Sequence, residues 1–87
     1  MTEMQRLRKV LDAMGVRWWD YTVLGKQKTC YMGRDGMVAV ICGPDTYGGD
    51  RGLLEAWSAG QEHAGFLIAE RVLPKFPPLR KNEQTRP

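Results

Sequence analysis

The sequence predicts an α+β fold: an N-terminal helix, an antiparallel sheet of three to four strands, a C-terminal helix and a basic, proline-containing tail. Three observations carry that expectation. Apolar residues recur at helical spacing from Met4 to Met14, the pattern turns to alternation from Val16, and Asp35-Gly36 separates two β-rich runs.

Each element has a local reason. Thr2 followed by Gln5 fits a capping box, in which hydroxyl and amide satisfy the orphan N–H groups of a first turn. Met4, Leu7, Leu11 and Met14 then share one side, which predicts a helix over 3–14, and Gly15 stands where a left-handed cap is wanted. Trp18, Trp19, Tyr21, Thr22 and Val23 suit a pleated surface. Successive strand residues face opposite ways, so one of Trp18 and Trp19 is expected under the helix and the other exposed.

Gly25 and Lys26 interrupt this strand, and 28–34 and 37–42 are expected as the next two. If Asp35-Gly36 forms a type I′ turn, Arg34 pairs with Met37, Tyr31 with Val40 and Cys30 with Ile41. Cys30 and Cys42 then lie on opposite faces, which argues against a disulfide. Gly43-Pro44-Asp45 ends the third strand, and 47–52 is a glycine-rich loop. The run 53–57 fits a strand or a helical turn; the glycines before it and Ser58-Ala59-Gly60 after it favour a strand. Residues 61–65 are expected as loop. The segment 67–76 reads as a second helix with Leu67, Ile68, Val72 and Leu73 on its apolar side, ending near Leu73 because Pro74 lacks an N–H. One domain over 1–73 and a flexible basic tail over 74–87 are the expected organisation.

Composition bounds the function. The chain has 87 residues, 43% hydrophobic and 26% charged, which suits one small globular domain. No secretory signal and no membrane-length apolar run is evident, so a cytoplasmic location with reduced cysteines is expected. The net charge of +3 sits at the two ends, while 18–73 holds five basic against seven acidic groups. That distribution is unlike a single cationic stripe for nucleic acid.

Catalytic groups are scarce. One histidine, His63, and two cysteines, Cys30 and Cys42, give no zinc-type spacing and no nucleophile motif. A thiol triad of Cys30, His63 and one of Asp20, Asp45 or Asp50 has no support in spacing, and His63 is expected as a solvated loop residue. The expectation is therefore a binding protein with no enzymatic activity, no metal and no cofactor.

The candidate binding residues are Trp18, Trp19 and Trp57, because such side chains dominate interface hot spots, and Tyr47, Asp50 and Arg51 on the glycine loop. The loop also suggests an anion cradle, although it matches neither a P-loop nor a dinucleotide fingerprint. Trp18, Trp19, Tyr21 and Tyr31 near Lys26, Lys28 and Arg34 suggest a platform for stacked bases. A small core needs large side chains in any case. The run 74–81 mixes proline, apolar and basic residues in the manner of a docking peptide.

Two stretches together resemble a known group. Residues 7–18, Leu-Arg-Lys-Val-Leu-Asp-Ala-Met-Gly-Val-Arg-Trp, resemble the opening helix and strand of small proteins encoded by bacteriophages and prophages. Residues 47–55 followed by 65–70 are similar to their second half, where Gly-aromatic-Leu-Thr-Ala-Glu starts the last helix; Ile68 replaces the threonine here. The resemblance spans residues 5–73 and implies context, not mechanism: a mobile-element protein that binds and blocks a host machine, such as a bacterial immune (CRISPR) complex. It carries no catalytic residues. The expected partner is a host protein or ribonucleoprotein. Alternatives are a nucleic-acid-binding accessory protein and a small-molecule protein that sequesters nucleotide signals, with the glycine loop and Trp57 lining its pocket.

Overall fold

In the computed structural model, residues 1–79 are described, with the side chains of 21–23 set aside. Of the tail expected over 74–87, residues 80–87 lie outside the described residues. The order is α1 (Glu3–Ala13), β1 (Trp18–Val23), β2 (Lys26–Gly33), β3 (Gly36–Cys42), a 3-10 turn (Gly49–Arg51), β4 (Leu54–Ser58), β5 (Gln61–Leu67) and α2 (Ala69–Lys75). The class is α+β. All five strands are antiparallel neighbours in chain order, β1-β2-β3-β4-β5.

The first helix follows its sequence signals. Thr2 Oγ1 accepts from the Gln5 N–H at 3.1 Å, and the Thr2 N–H donates to Gln5 Oε1 at 2.8 Å. At the other end Gly15 has φ +71°, and the Val16 N–H reaches back to the Leu11 carbonyl at 2.9 Å. That closure is the Schellman pattern.

Both helices cover one face of the sheet. Met4, Leu7 and Leu11 of α1 and Ala69 and Val72 of α2, with Phe76 beyond it, pack on Tyr31, Val38, Val40, Leu54 and Ala56. Buried polar groups on this face are partnered: Arg8 Nε donates to Thr29 Oγ1 at 2.8 Å, and the Thr29 hydroxyl contacts the Met4 sulfur at 3.2 Å. The side chains that alternate with these point away from both helices.

Four expectations need correction. The sheet has five strands, not three or four, because 61–65 belongs to β5. Its pairing with β4 shifts register between Leu54/Ala56 and between Ala56/Ser58, so irregularity hides the alternation that would mark a strand. The β2–β3 hairpin turns on Arg34-Asp35: Gly33 pairs with Gly36, Tyr31 with Val38 and Cys30 with Ala39. Positive φ falls on Gly36 alone (+108°), not on the two central residues that a type I′ turn requires. The slip is two residues, so every side chain keeps its face. Cys30 and Cys42 are indeed on opposite faces, and no disulfide joins them.

The second helix begins at Ala69 and runs through Pro74 to Lys75. In seven residues the proline removes one bond only, and the Phe76 N–H closes on the Val72 carbonyl at 2.8 Å. The domain also extends past Leu73. Phe76 is buried, the Tyr31 hydroxyl donates to its carbonyl at 2.8 Å, and Gly33 bridges Pro78.

Candidate functional site

Alternation places a second set of side chains on the sheet face that neither helix covers. The ladder Trp19–Cys30–Ala39–Trp57 crosses β1 to β4, with Met32 opposite Met37 on one side of it and Lys28 opposite Ile41 on the other. The outer members are large and the inner two small. Cys30 and Ala39 are covered by their neighbours, whereas Trp19 is 40% and Met37 50% exposed. The result is a shallow apolar trough, its two tryptophans ~14 Å apart at three strand spacings.

One end of the trough is braced by a polar cluster. Glu55 is only 6% exposed, and both of its oxygens are engaged. Oε1 accepts the Tyr47 N–H at 2.9 Å, and Oε2 lies 3.1 Å from His63 Nδ1. The imidazole stacks on Trp57 with ring centroids 4.9 Å apart, and Lys28 Nζ lies 5.6 Å from the centre of the same indole. His63 thus belongs to β5 and not to a loop, and its ring, though held by Glu55, remains exposed to solvent as expected. A carboxylate that orients an imidazole also occurs in catalytic triads, but among the described residues no hydroxyl or thiol is hydrogen-bonded to His63. Cys30 is separated from His63 by β3 and β4, Asp20 pairs with Arg8 at 3.6 Å, and Asp45 and Asp50 sit on the loop after β3.

The six sequence candidates divide. Trp19 and Trp57 come together on the uncovered face. Trp18 lies on the helix side: its indole N–H donates to Asp12 Oδ1 at 2.8 Å, and Arg8 covers its ring at 4.9 Å. Tyr47, Asp50 and Arg51 are exposed on the loop, away from the trough, apart from the Tyr47 N–H that Glu55 holds. Sequence reasoning missed Met32, Met37, Ile41, Glu55 and His63. The first three were accessible from alternation alone, since they share a face with Cys30; Glu55 and His63 depend on the irregular β4–β5 pairing.

The glycine loop is not a cradle of free N–H groups. Those of Thr46, Gly49, Arg51, Gly52 and Leu53 donate to carbonyls inside the loop. Thr46 Oγ1 closes it further by donating to the Gly43 carbonyl at 2.7 Å. The hollow it forms is lined by Gly43, Pro44, Asp45, Thr46, Gly49 and Asp50. Trp57 does not line it, and two carboxylates are the wrong sign for a phosphate. Burial pushes the Cys42 thiol above its ordinary range, which disfavours the nucleophilic thiolate. Among the described residues no group of His, Cys, Asp and Glu is arranged to hold a metal, and no helix is long and apolar enough to cross a membrane. No family model matches the chain, and neither a curated protein nor a solved structure matches it.

Proposed function

We propose that this chain is a non-enzymatic binding protein that docks its uncovered sheet face on a protein surface. The observation that carries the reading is the trough itself. An apolar strip containing Trp19, Met32 and Met37 stays in solvent while both helices crowd the other side. Exposed aromatic and methionine side chains are the groups that protein interfaces concentrate.

The face suits protein better than stacked bases. His63 and Lys28 already contact the Trp57 indole, and Trp18 is turned to the helix side under Arg8. Of the three tryptophans only Trp19 offers an exposed ring. Lys26 and Lys28, which share this face, favour nucleic acid as a second reading. The resemblance to phage and prophage proteins suggests the target, a bacterial immune complex blocked by steric occlusion in the host cytoplasm.

The test is affinity capture from bacterial lysate with wild-type protein and with the variant Trp19→Ala/Met37→Asp. Loss of a wild-type partner in the variant, with melting temperature preserved, is the expected result. Identical capture by both would remove the face from function. For a captured complex, a steep linear fall of log affinity with log salt would mark phosphate contacts and favour nucleic acid.

A further inference from the structure

A second surface lies at the β5 edge, on the helix side, independent of the trough. Phe66 has φ +57°, a left-handed conformation that L side chains with bulky Cβ substituents avoid, and the residue is nevertheless 58% exposed. Between the pairs Leu54–Leu67 and Ala56–Ala64, β5 spends one residue more than β4, and Phe66 falls in that stretch. Its N–H donates to the Tyr47 carbonyl at 3.2 Å. Close packing holds the arrangement: a Cβ on Gly48 would come within 3.0 Å of Phe66 Cα, and one on Gly65 within 2.5 Å of Tyr47 Cβ. Two glycines and a strained backbone thus present a large aromatic outward, with exposed Tyr47 and Ile68 beside it.

Phe66 forms one wall of a groove of about 680 Å³ along α2, with Leu67, Glu70, Arg71, Pro74 and Lys75. The charges of this groove are unbalanced. Glu70 pairs with Arg6, which also holds Glu3 at 2.9 Å. Arg71 and Lys75, one helical turn apart, have no ion-pair partner among the described residues. The groove therefore offers an apolar wall and floor with two unbalanced cations.

We propose that this groove docks an acidic peptide segment of a protein partner, its carboxylates on Arg71 and Lys75 and an apolar side chain against Phe66 and Pro74. Charge complementarity selects the acidic ligand, and the apolar wall selects peptide over a nucleic-acid backbone, which asks for a longer cationic track. A volume of this size holds a few side chains, not a folded domain.

The probe is a fluorescein-labelled nonapeptide alternating glutamate with leucine, compared with its lysine counterpart and with a labelled oligothymidine. Saturable binding of the acidic peptide is expected, with amide shift changes at Phe66, Leu67, Arg71 and Lys75. Arg71→Glu/Lys75→Glu should weaken it at least about ten-fold, and the lysine peptide should bind as weakly. Phe66→Gly separates binding from folding: relief of the left-handed strain keeps the melting temperature at or above wild type while peptide affinity falls about ten-fold. No saturable binding, tighter binding of oligothymidine, or a lower melting temperature for Phe66→Gly with affinity retained would each overturn the proposal.

Discussion

Tyr31 shows how one side chain joins distant parts of this fold. Its ring is fully buried at the centre of the helix-side core, and its hydroxyl donates to the Phe76 carbonyl 45 residues away. Burial pushes the phenol far above its ordinary value, which favours the neutral, donating form. Tyr31→Phe keeps the ring and removes the donor, which leaves the Phe76 carbonyl unsatisfied in a dry site. The expected cost is about 1–3 kcal/mol, measured by urea denaturation with an unchanged slope. A cost near zero would mean that water reaches the carbonyl and that the segment after α2 is loosely held.

The second helix lacks a cap of its own and borrows one. Ile68 at its N-cap has no hydrogen-bonding side chain, so the first turn would leave an orphan donor. Glu3 of α1 supplies the acceptor: Oε1 takes the Ala69 N–H at 2.7 Å, while Oε2 pairs with Arg6 at 2.9 Å. The Ala69 bond is the main cause that holds the Glu3 carboxyl below its usual value; partial burial opposes it and Arg6 assists. A carboxyl depressed in the folded state stabilises fully above its unfolded value of 4.5 and progressively less as pH falls below that. Glu3→Gln should therefore melt lower than wild type at neutral pH, by the equivalent of about 1 kcal/mol, and the gap should close in acid. Ile68→Thr gives α2 a local cap and should recover part of the loss in the Glu3→Gln background. A gap that stays constant from pH 7 to pH 3 would contradict the borrowed cap.

Elements were legible where one local signal dominated. Thr2, Gln5 and Gly15 bound α1, and Trp18 and Trp19 divide between the faces as alternation requires. Signals that compete or come from afar were not legible. Asp35-Gly36 pointed to a turn centred one residue too late, because the positive φ at Gly36 serves the residue after the turn. Gln61, Glu62 and His63 look like loop, since an edge strand carries polar residues and bulges break its period. Half of the trough followed from parity. The Glu55–His63–Trp57 cluster did not, because it exists only once β5 is paired beside β4.

At the scale of the whole molecule, the segment after α2 completes the sheet. The β1–β2 ladder ends at Trp18–Tyr31, and beyond it β2 would show a bare edge. Pro77 to Leu79 takes that place: the Arg34 N–H donates to the Pro77 carbonyl at 3.0 Å and the Leu79 N–H to the Met32 carbonyl at 2.9 Å. Gly33 is required at the crossing, since a Cβ there would lie 2.7 Å from Val38 Cγ2 and 3.1 Å from the Pro77 oxygen. This strap fixes the strand position from which Met32 reaches the trough, and Phe76 anchors it in the core. A chain ending at Leu73 loses the anchor, the Tyr31 bond and the strap together. Removing a buried phenylalanine alone costs about 3–5 kcal/mol, which for a domain of this size is more than about 12 °C in melting temperature. The expected order of melting temperatures is therefore a chain ending at Leu79, then Phe76→Ala, then a chain ending at Leu73. Partner capture through the trough should fall in the same order, because the strap pairs with the edge of the strand that carries Met32. Equal melting temperatures for the chains ending at Leu73 and at Leu79 would show that the sheet closes without it.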